Sequence, residues 1–141
     1  MQKTVILSVR GRQSYMDQEP EVIELVTEGV LEDTEKGWKL SYAESDLTGL
    51  AGVNTTFTVE GDAVTLTRTG KLHSEMFFRE GESQDSLYKM EFGTLMLTVC
   101  ATRVEANITE QGGTIDLLYG IEIEQSAAGV IEYHLDIRAK E

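Results

Sequence analysis

The 141-residue chain predicts an all-β fold: a closed, antiparallel, up-and-down β-barrel of about eight to ten strands, built as one domain over residues 1–141. Three observations predict it. Apolar and polar side chains alternate with a period of two along almost every segment. Glycine-centred turn signals recur at short intervals, and one long segment changes its phase midway, which requires a bend.

The elements follow in order. In "VILSV", Val5, Leu7 and Val9 share one face, because side chains two apart point the same way on a pleated strand. The run is broken by Ser8 and is shorter than the ~7–15 apolar residues of a signal peptide or the ~20 of a spanning helix. The start of the chain therefore reads as a strand of the mature protein. The segments "GRQSYMDQEPE" (11–21) and "SDLTGLAGV" (45–53) are least governed by alternation and read as loops, Pro20 belonging to the first. Each is either a lid over an opening or the cap of a barrel end. Glu24, Glu28 and Glu32 alternate with apolar residues, which marks a solvated outer face rather than paired catalytic acids. In "GWKLSYAES" the inward set is Trp38, Leu40, Tyr42 and Glu44.

In "TLMLTVCATRVEANI" the apolar set runs Leu95, Leu97, Val99 and then shifts to Val104, Ala106, Ile108. Faces cannot exchange without an extra residue, so a β-bulge is expected near Cys100 to Thr102. Bulges bend strands, and bending lets a long sheet curl and close. The last two strands are regular: Ile115, Leu117, Tyr119, Ile121 and Ile123 inward in one, and Ile131, Tyr133, Leu135 and Ile137 inward in the other. Glu132, His134, Asp136 and Arg138 are left to solvent. The turns at Lys36-Gly37, Glu60-Gly61-Asp62, Thr69-Gly70-Lys71, Glu80-Gly81, Phe92-Gly93, Gly112-Gly113 and Gly129 imply strands joined to their immediate neighbours. Closure into a barrel hides the edges of such a meander.

One residue breaks the pattern. Arg68 falls in step with Val64 and Leu66, not with the threonines beside it. A three-residue turn at Thr69-Gly70-Lys71 pairs Arg68 with Leu72, Leu66 with Ser74 and Val64 with Met76, which places Arg68 on the inner face near the barrel mouth. A buried guanidinium without a partner costs several kcal/mol. The most economical partner is Glu44, with Tyr42 and Tyr119 as hydroxyl neighbours. Arg68 and Glu44 then either plug the barrel end, or Arg68 awaits the carboxylate or phosphate of a ligand whose apolar part lies among Leu66, Met76, Phe78 and Leu97.

The composition excludes several functions. Twelve Lys and Arg against twenty-five Asp and Glu leave a net charge of −13, which repels nucleic-acid phosphates and anionic membranes, so neither is an expected partner. The single Cys100 makes no intramolecular disulfide and reads as a buried, inert thiol, in keeping with a cytoplasmic compartment. The two histidines, His73 and His134, fall on outward faces without ligand-spaced neighbours, so no metal, cofactor or histidine-based nucleophile is expected. With no export signal, the sequons at Asn54 and Asn107 read as chance matches.

The ordered pieces "SYAES", "TGLAGVNTTF", "LTRTG", "MFFREG", "LYKMEFGTL", "GG" and "LLYGIEI" resemble the YwiB-like family of uncharacterised bacterial proteins, mostly from Firmicutes. The resemblance runs along nearly the whole chain and covers Tyr42, Glu44, Gly49, Arg68, Gly70, Met76, Phe78, Gly81, Tyr88, Gly93, Thr102, Gly113 and Tyr119. It departs at "YKMEFG", where Met90 and Glu91 stand in place of the family's usual threonine and proline. The resemblance implies a calycin-like, lipocalin-like barrel and carries no activity with it. The glycine-any-tryptophan signature of true lipocalins is absent, Gly37 and Trp38 being adjacent.

The function expected is a non-catalytic binding module for a small, partly apolar, anionic molecule. Its candidate site comprises Arg68, Glu44, Tyr42, Tyr88, Tyr119, Trp38, Leu66, Met76, Phe78 and Leu97. The alternatives are a filled scaffold barrel that meets a protein partner, and an enzyme using Arg68, Glu44, Tyr42 and Tyr88 at the mouth. Interior volume separates the first two: a solid interior removes the ligand, and an open one of roughly 300 Å3 or more retains it.

Overall fold

The computed structural model describes residues 2–15, 18–45, 50–90, 93–124 and 126–140. Ten strands follow one another: β1 (Gln2–Tyr15), β2 (Glu21–Asp33), β3 (Gly37–Ala43), β4 (Val53–Glu60), β5 (Ala63–Gly70), β6 (His73–Arg79), β7 (Ser83–Met90), β8 (Gly93–Thr109), β9 (Gly112–Ile123) and β10 (Ser126–Ala139). Each pairs antiparallel with the next, and β1 pairs with both β2 and β10, which closes the barrel. Among the described residues no helix is long and apolar enough to cross a membrane.

The period-two code decides which side chains go inside. Val5, Leu7, Ile115, Leu117, Leu135 and Ile137 are buried, while Glu132, His134, Asp136 and Arg138 are exposed. The bulge falls where the phase change requires it: β8 and β9 are in register through Ala101↔Tyr119 and again from Arg103↔Leu118, so Thr102 is the extra residue. Thr102 and Arg103 are consecutively exposed, and Val104 resumes the inward face. Gly113 has φ +152°, and a Cβ there would lie 1.9 Å from the carbonyl oxygen of Asn107. Only a residue without a side chain lets the start of β9 pass that close to β8.

Two sequence expectations about the connections are corrected. Residues 11–15 are strand, not loop: β1 continues against β10 through Gly11↔Tyr133, Gln13↔Ile131 and Tyr15↔Gly129. Alternation fades there because the inward residues face open space rather than a packed core, so Gln13 and Tyr15 are tolerated where an isoleucine would otherwise stand. The β1–β2 connection is correspondingly short, and residues 16 and 17 lie outside the described residues, as do 46–49 of the second expected loop. The β5–β6 register is one pair away from expectation, with Arg68 opposite Ser74, Leu66 opposite Met76 and Val64 opposite Phe78. A shift of two residues preserves parity, so Arg68 stays on the inner face.

The interior divides into two halves. At one end Leu31, Leu40, Phe57, Val64, Leu66 and Phe78 interlock at 1% exposure or less, a solid floor. At the other end the inner faces diverge around a cavity. The β1–β2, β3–β4, β5–β6, β7–β8 and β9–β10 connections all lie at that end.

Candidate functional site

The cavity is built on a level belt of polar side chains. Cross-strand pairing carries one row around the inner face of five strands: Tyr42 opposite Thr55, Thr55 opposite Arg68, Arg68 opposite Ser74, and Ser74 opposite Tyr88. Below the belt the same strands present Leu40, Phe57, Leu66 and Phe78 to the floor. Residues directly opposite in an antiparallel pair are close neighbours, so one step in register turns an apolar layer into a polar one.

The far wall comes from β1, β9 and β10, which contribute Gly11, Gln13, Tyr15, Tyr119, Ile121, Ile131 and Tyr133. All five tyrosines of the chain line this one cavity. Its volume is about 200 Å3. This is neither the solid interior nor the roughly 300 Å3 weighed from the sequence. An apolar cavity of about 150 Å3 already admits benzene, so the space suits a molecule near that size.

Arg68 is 8% exposed and donates from Nη2 to the hydroxyl of Tyr133 at 2.9 Å. That contact crosses the barrel from β5 to β10. Gly11 makes it feasible: a Cβ at that position would sit 3.2 Å from Cε1 of Tyr133, in the space the ring needs. Phe57 supports the same ring from the floor, edge to face, with centroids 6.5 Å apart.

The expected pairing of Arg68 with Glu44 does not form. Glu44, 9% exposed, accepts instead from Thr55 Oγ1 at 2.5 Å through Oε2. Glu44 projects from the end of β3 above Thr55, which stands between it and Arg68 in the row and captures the carboxyl first. Both charged groups line the cavity, yet neither is satisfied by the other. Among the described residues, Arg68 Nε, Glu44 Oε1 and Ser74 Oγ are buried without a hydrogen-bond partner. Buried polar groups are nearly always paired in folded proteins, so the orphans on Arg68 and Glu44, both in the cavity wall, are a property of the site.

The electrostatics favour the neutral form of Tyr15, Tyr42 and Tyr119. Burial raises the Tyr119 hydroxyl pKa far above its ordinary value, with Tyr133 adding to it. Burial also raises Tyr42, aided by the Glu44 carboxyl, and raises Tyr15. For Arg68 burial works against the charge, but the oxygens of Tyr133 and Tyr119 and the Glu44 carboxyl outweigh it and hold the guanidinium above its usual range. The wall therefore offers neutral phenols and a fixed cation near neutral pH.

Of the residues singled out from the sequence, Arg68, Glu44, Tyr42, Tyr88, Tyr119, Met76 and Leu97 line the cavity. Trp38, Leu66 and Phe78 do not. Leu66 and Phe78 are fully buried in the floor, one and two layers below the belt, and Trp38 packs against the core near the closed end. Gly11, Gln13, Tyr15 and Tyr133 were missed as site residues. Tyr133 had its signal in the inward set of the last strand, whereas the other three sit in the stretch read as loop. No group of three His, Cys, Asp or Glu placed to hold a metal occurs among the described residues. The contact of His134 with Asp116 at 2.6 Å lies on the outer surface.

Among curated proteins none matches the chain. A solved structure, that of the ywiB protein from Bacillus subtilis, matches over 99% of this chain and 94% of that one, with a TM-score of 0.81 and 24% identity. At that identity the likeness shows the fold alone. Residues 7–137 match the model of a family described as a domain of unknown function, DUF1934, and the chain belongs to that family.

Proposed function

We propose that the protein is a cytoplasmic, non-catalytic binding module of calycin-like type that holds one small, partly apolar molecule by an anionic group in the open half of its barrel. The observation that carries this reading is the state of Arg68. A guanidinium is buried at the wall of a cavity with a phenol as its hydrogen-bond partner, and with no carboxylate paired to it among the described residues. A structural plug calls for the Arg68–Glu44 ion pair, and that pair is missing. An anionic ligand supplies the counter-charge through parallel N–H bonds. Met76, Leu97, Ile121 and Ile131 offer its apolar part a surface. The volume limits the ligand to roughly the size of benzoate or a short branched acid.

The test is native mass spectrometry of the protein purified from its own host. A bound species of small mass, lost in Arg68→Met while the fold is retained, is the expected result. Absence of any such species, together with unchanged melting temperature in millimolar benzoate and 4-methylpentanoate, overturns the reading.

A further inference from the structure

The charge balance at the belt restricts the ligand class further than the proposed function does, and this inference rests on that reading.

Arg68 and Glu44 bring one positive and one negative formal charge to the same cavity. They are held apart, and each has an orphaned polar atom. A simple anion on Arg68 leaves the buried site with a net negative charge and Glu44 still under-satisfied. Burying an uncompensated charge is costly, and like charges in one small cavity repel. A molecule carrying both a carboxylate and an ammonium matches the two wall charges in opposite order, so every buried charge gains a partner and the sum stays at zero. The hydroxyls of Tyr42 and Tyr133, both in the cavity wall, can donate or accept beside either end.

We infer that the ligand is a small zwitterion of the amino-acid class, its carboxylate on Arg68, its ammonium on Glu44 and its side chain against Met76, Leu97 and Ile131. The size agrees. A cavity of about 200 Å3 holds an amino acid with a branched aliphatic or single-ring side chain.

The experiment measures affinity by calorimetry for three matched probes in the full-length protein: leucine, 4-methylpentanoate without the ammonium, and 3-methylbutylamine without the carboxylate. Valine and phenylalanine with their matched acids and amines extend the series in size. The expected outcome is that in at least one series the zwitterion binds about tenfold or more tighter than either analogue, the yield of one charge-assisted hydrogen bond. Glu44→Gln should then bring zwitterion and acid to within about threefold of one another. Acids that bind as tightly as their zwitterions overturn this inference and leave the anion-binding reading standing. If no member of any series binds, both fall. Because the wild-type series decides, a Glu44→Gln protein that fails to fold leaves the test intact.

Discussion

Arg68 and Tyr133 meet at 2.9 Å across the interior, joining β5 to β10, two strands that are not neighbours in the barrel. The contact is a cross-beam. Below it Phe57 and Leu66 are packed shut, and above it the walls separate into the cavity. Its geometry needs an inward arginine from register parity, an inward tyrosine from the last strand, and a glycine at position 11 to clear the ring. Remote parts of the chain thus cooperate to hold a cation where the barrel changes from solid to open.

The first prediction separates the charge from its support. Arg68→Met removes a buried cation that has no ion pair, and an apolar side chain of similar length fills much of the same space. Replacing such a group is often neutral or stabilising. Unfolding by denaturant should show stability within about 1 kcal/mol of wild type, or above it. Tyr133→Phe does the reverse, keeping the charge and removing its hydrogen-bond acceptor, and should cost about 1–3 kcal/mol. The double variant should be more stable than Tyr133→Phe alone. A larger loss in Arg68→Met than in Tyr133→Phe would identify the arginine as a structural plug.

A second prediction concerns the room made for the ring. Gly11→Ala places a methyl 3.2 Å from Cε1 and 3.5 Å from Cδ1 of Tyr133, so the ring must retreat by a few tenths of an ångström. Overpacking of this degree costs about 1 kcal/mol or more. The same displacement lengthens the bond to Arg68. A lowered denaturation midpoint, together with an altered near-ultraviolet circular dichroism of the tyrosines, is the expected pair of signals. Unchanged spectra would show that the ring is not held by this contact.

How legible all this was in the sequence depends on what each residue faces. The floor was plain, since Val5, Leu7, Ile115 and Leu135 face other apolar groups and belong to runs in which buried positions recur every second residue. The bulge was equally plain, because two outward residues in succession at Thr102 and Arg103 leave a phase change that only an inserted residue explains. The Arg68 placement survived a wrong turn length, since parity is insensitive to a shift of two. What failed was the mouth. Inward positions there face a cavity, so Gly11, Gln13 and Tyr15 carry no hydrophobic rhythm and this stretch of strand reads as loop. The Arg68–Glu44 pairing failed for a different reason: nothing in a linear pattern shows that Thr55 stands between them and reaches the carboxyl first.

A third prediction tests closure at the β8–β9 hairpin. Gly113→Ala forces a Cβ to within 1.9 Å of the Asn107 carbonyl oxygen at φ +152°, and the obstacle is backbone, which cannot swing aside. The expected loss is about 2–4 kcal/mol, seen as a marked drop in melting temperature. Gly61→Ala is the control. Its φ is +61° but nothing lies within 4 Å of the added methyl, so only the backbone penalty of about 1–2 kcal/mol applies. Equal losses at the two positions would argue against steric closure at Gly113.

The last prediction uses alkali to read the cavity wall. Tyr15, Tyr42 and Tyr119 all have hydroxyl pKa values raised above 10.0 in the folded protein, burial being the largest cause in each. In the unfolded chain they lose their protons near the ordinary value of about 10. Above that pH the unfolded state binds fewer protons than the native state, so stability falls as pH rises. The stabilisation is fully present below about pH 10 and is lost progressively beyond it. Melting temperature should therefore be insensitive to these groups near neutrality and should decline steeply in alkali. The phenolate absorbance of buried tyrosines should appear together with unfolding rather than ahead of it. Tyr119→Phe should make the alkaline decline shallower, because one proton-linked penalty is gone. If phenolate absorbance for Tyr15, Tyr42 and Tyr119 develops near pH 10 while the barrel remains folded, their hydroxyls are in contact with solvent and the cavity wall is not the sheltered surface on which recognition by Arg68 depends.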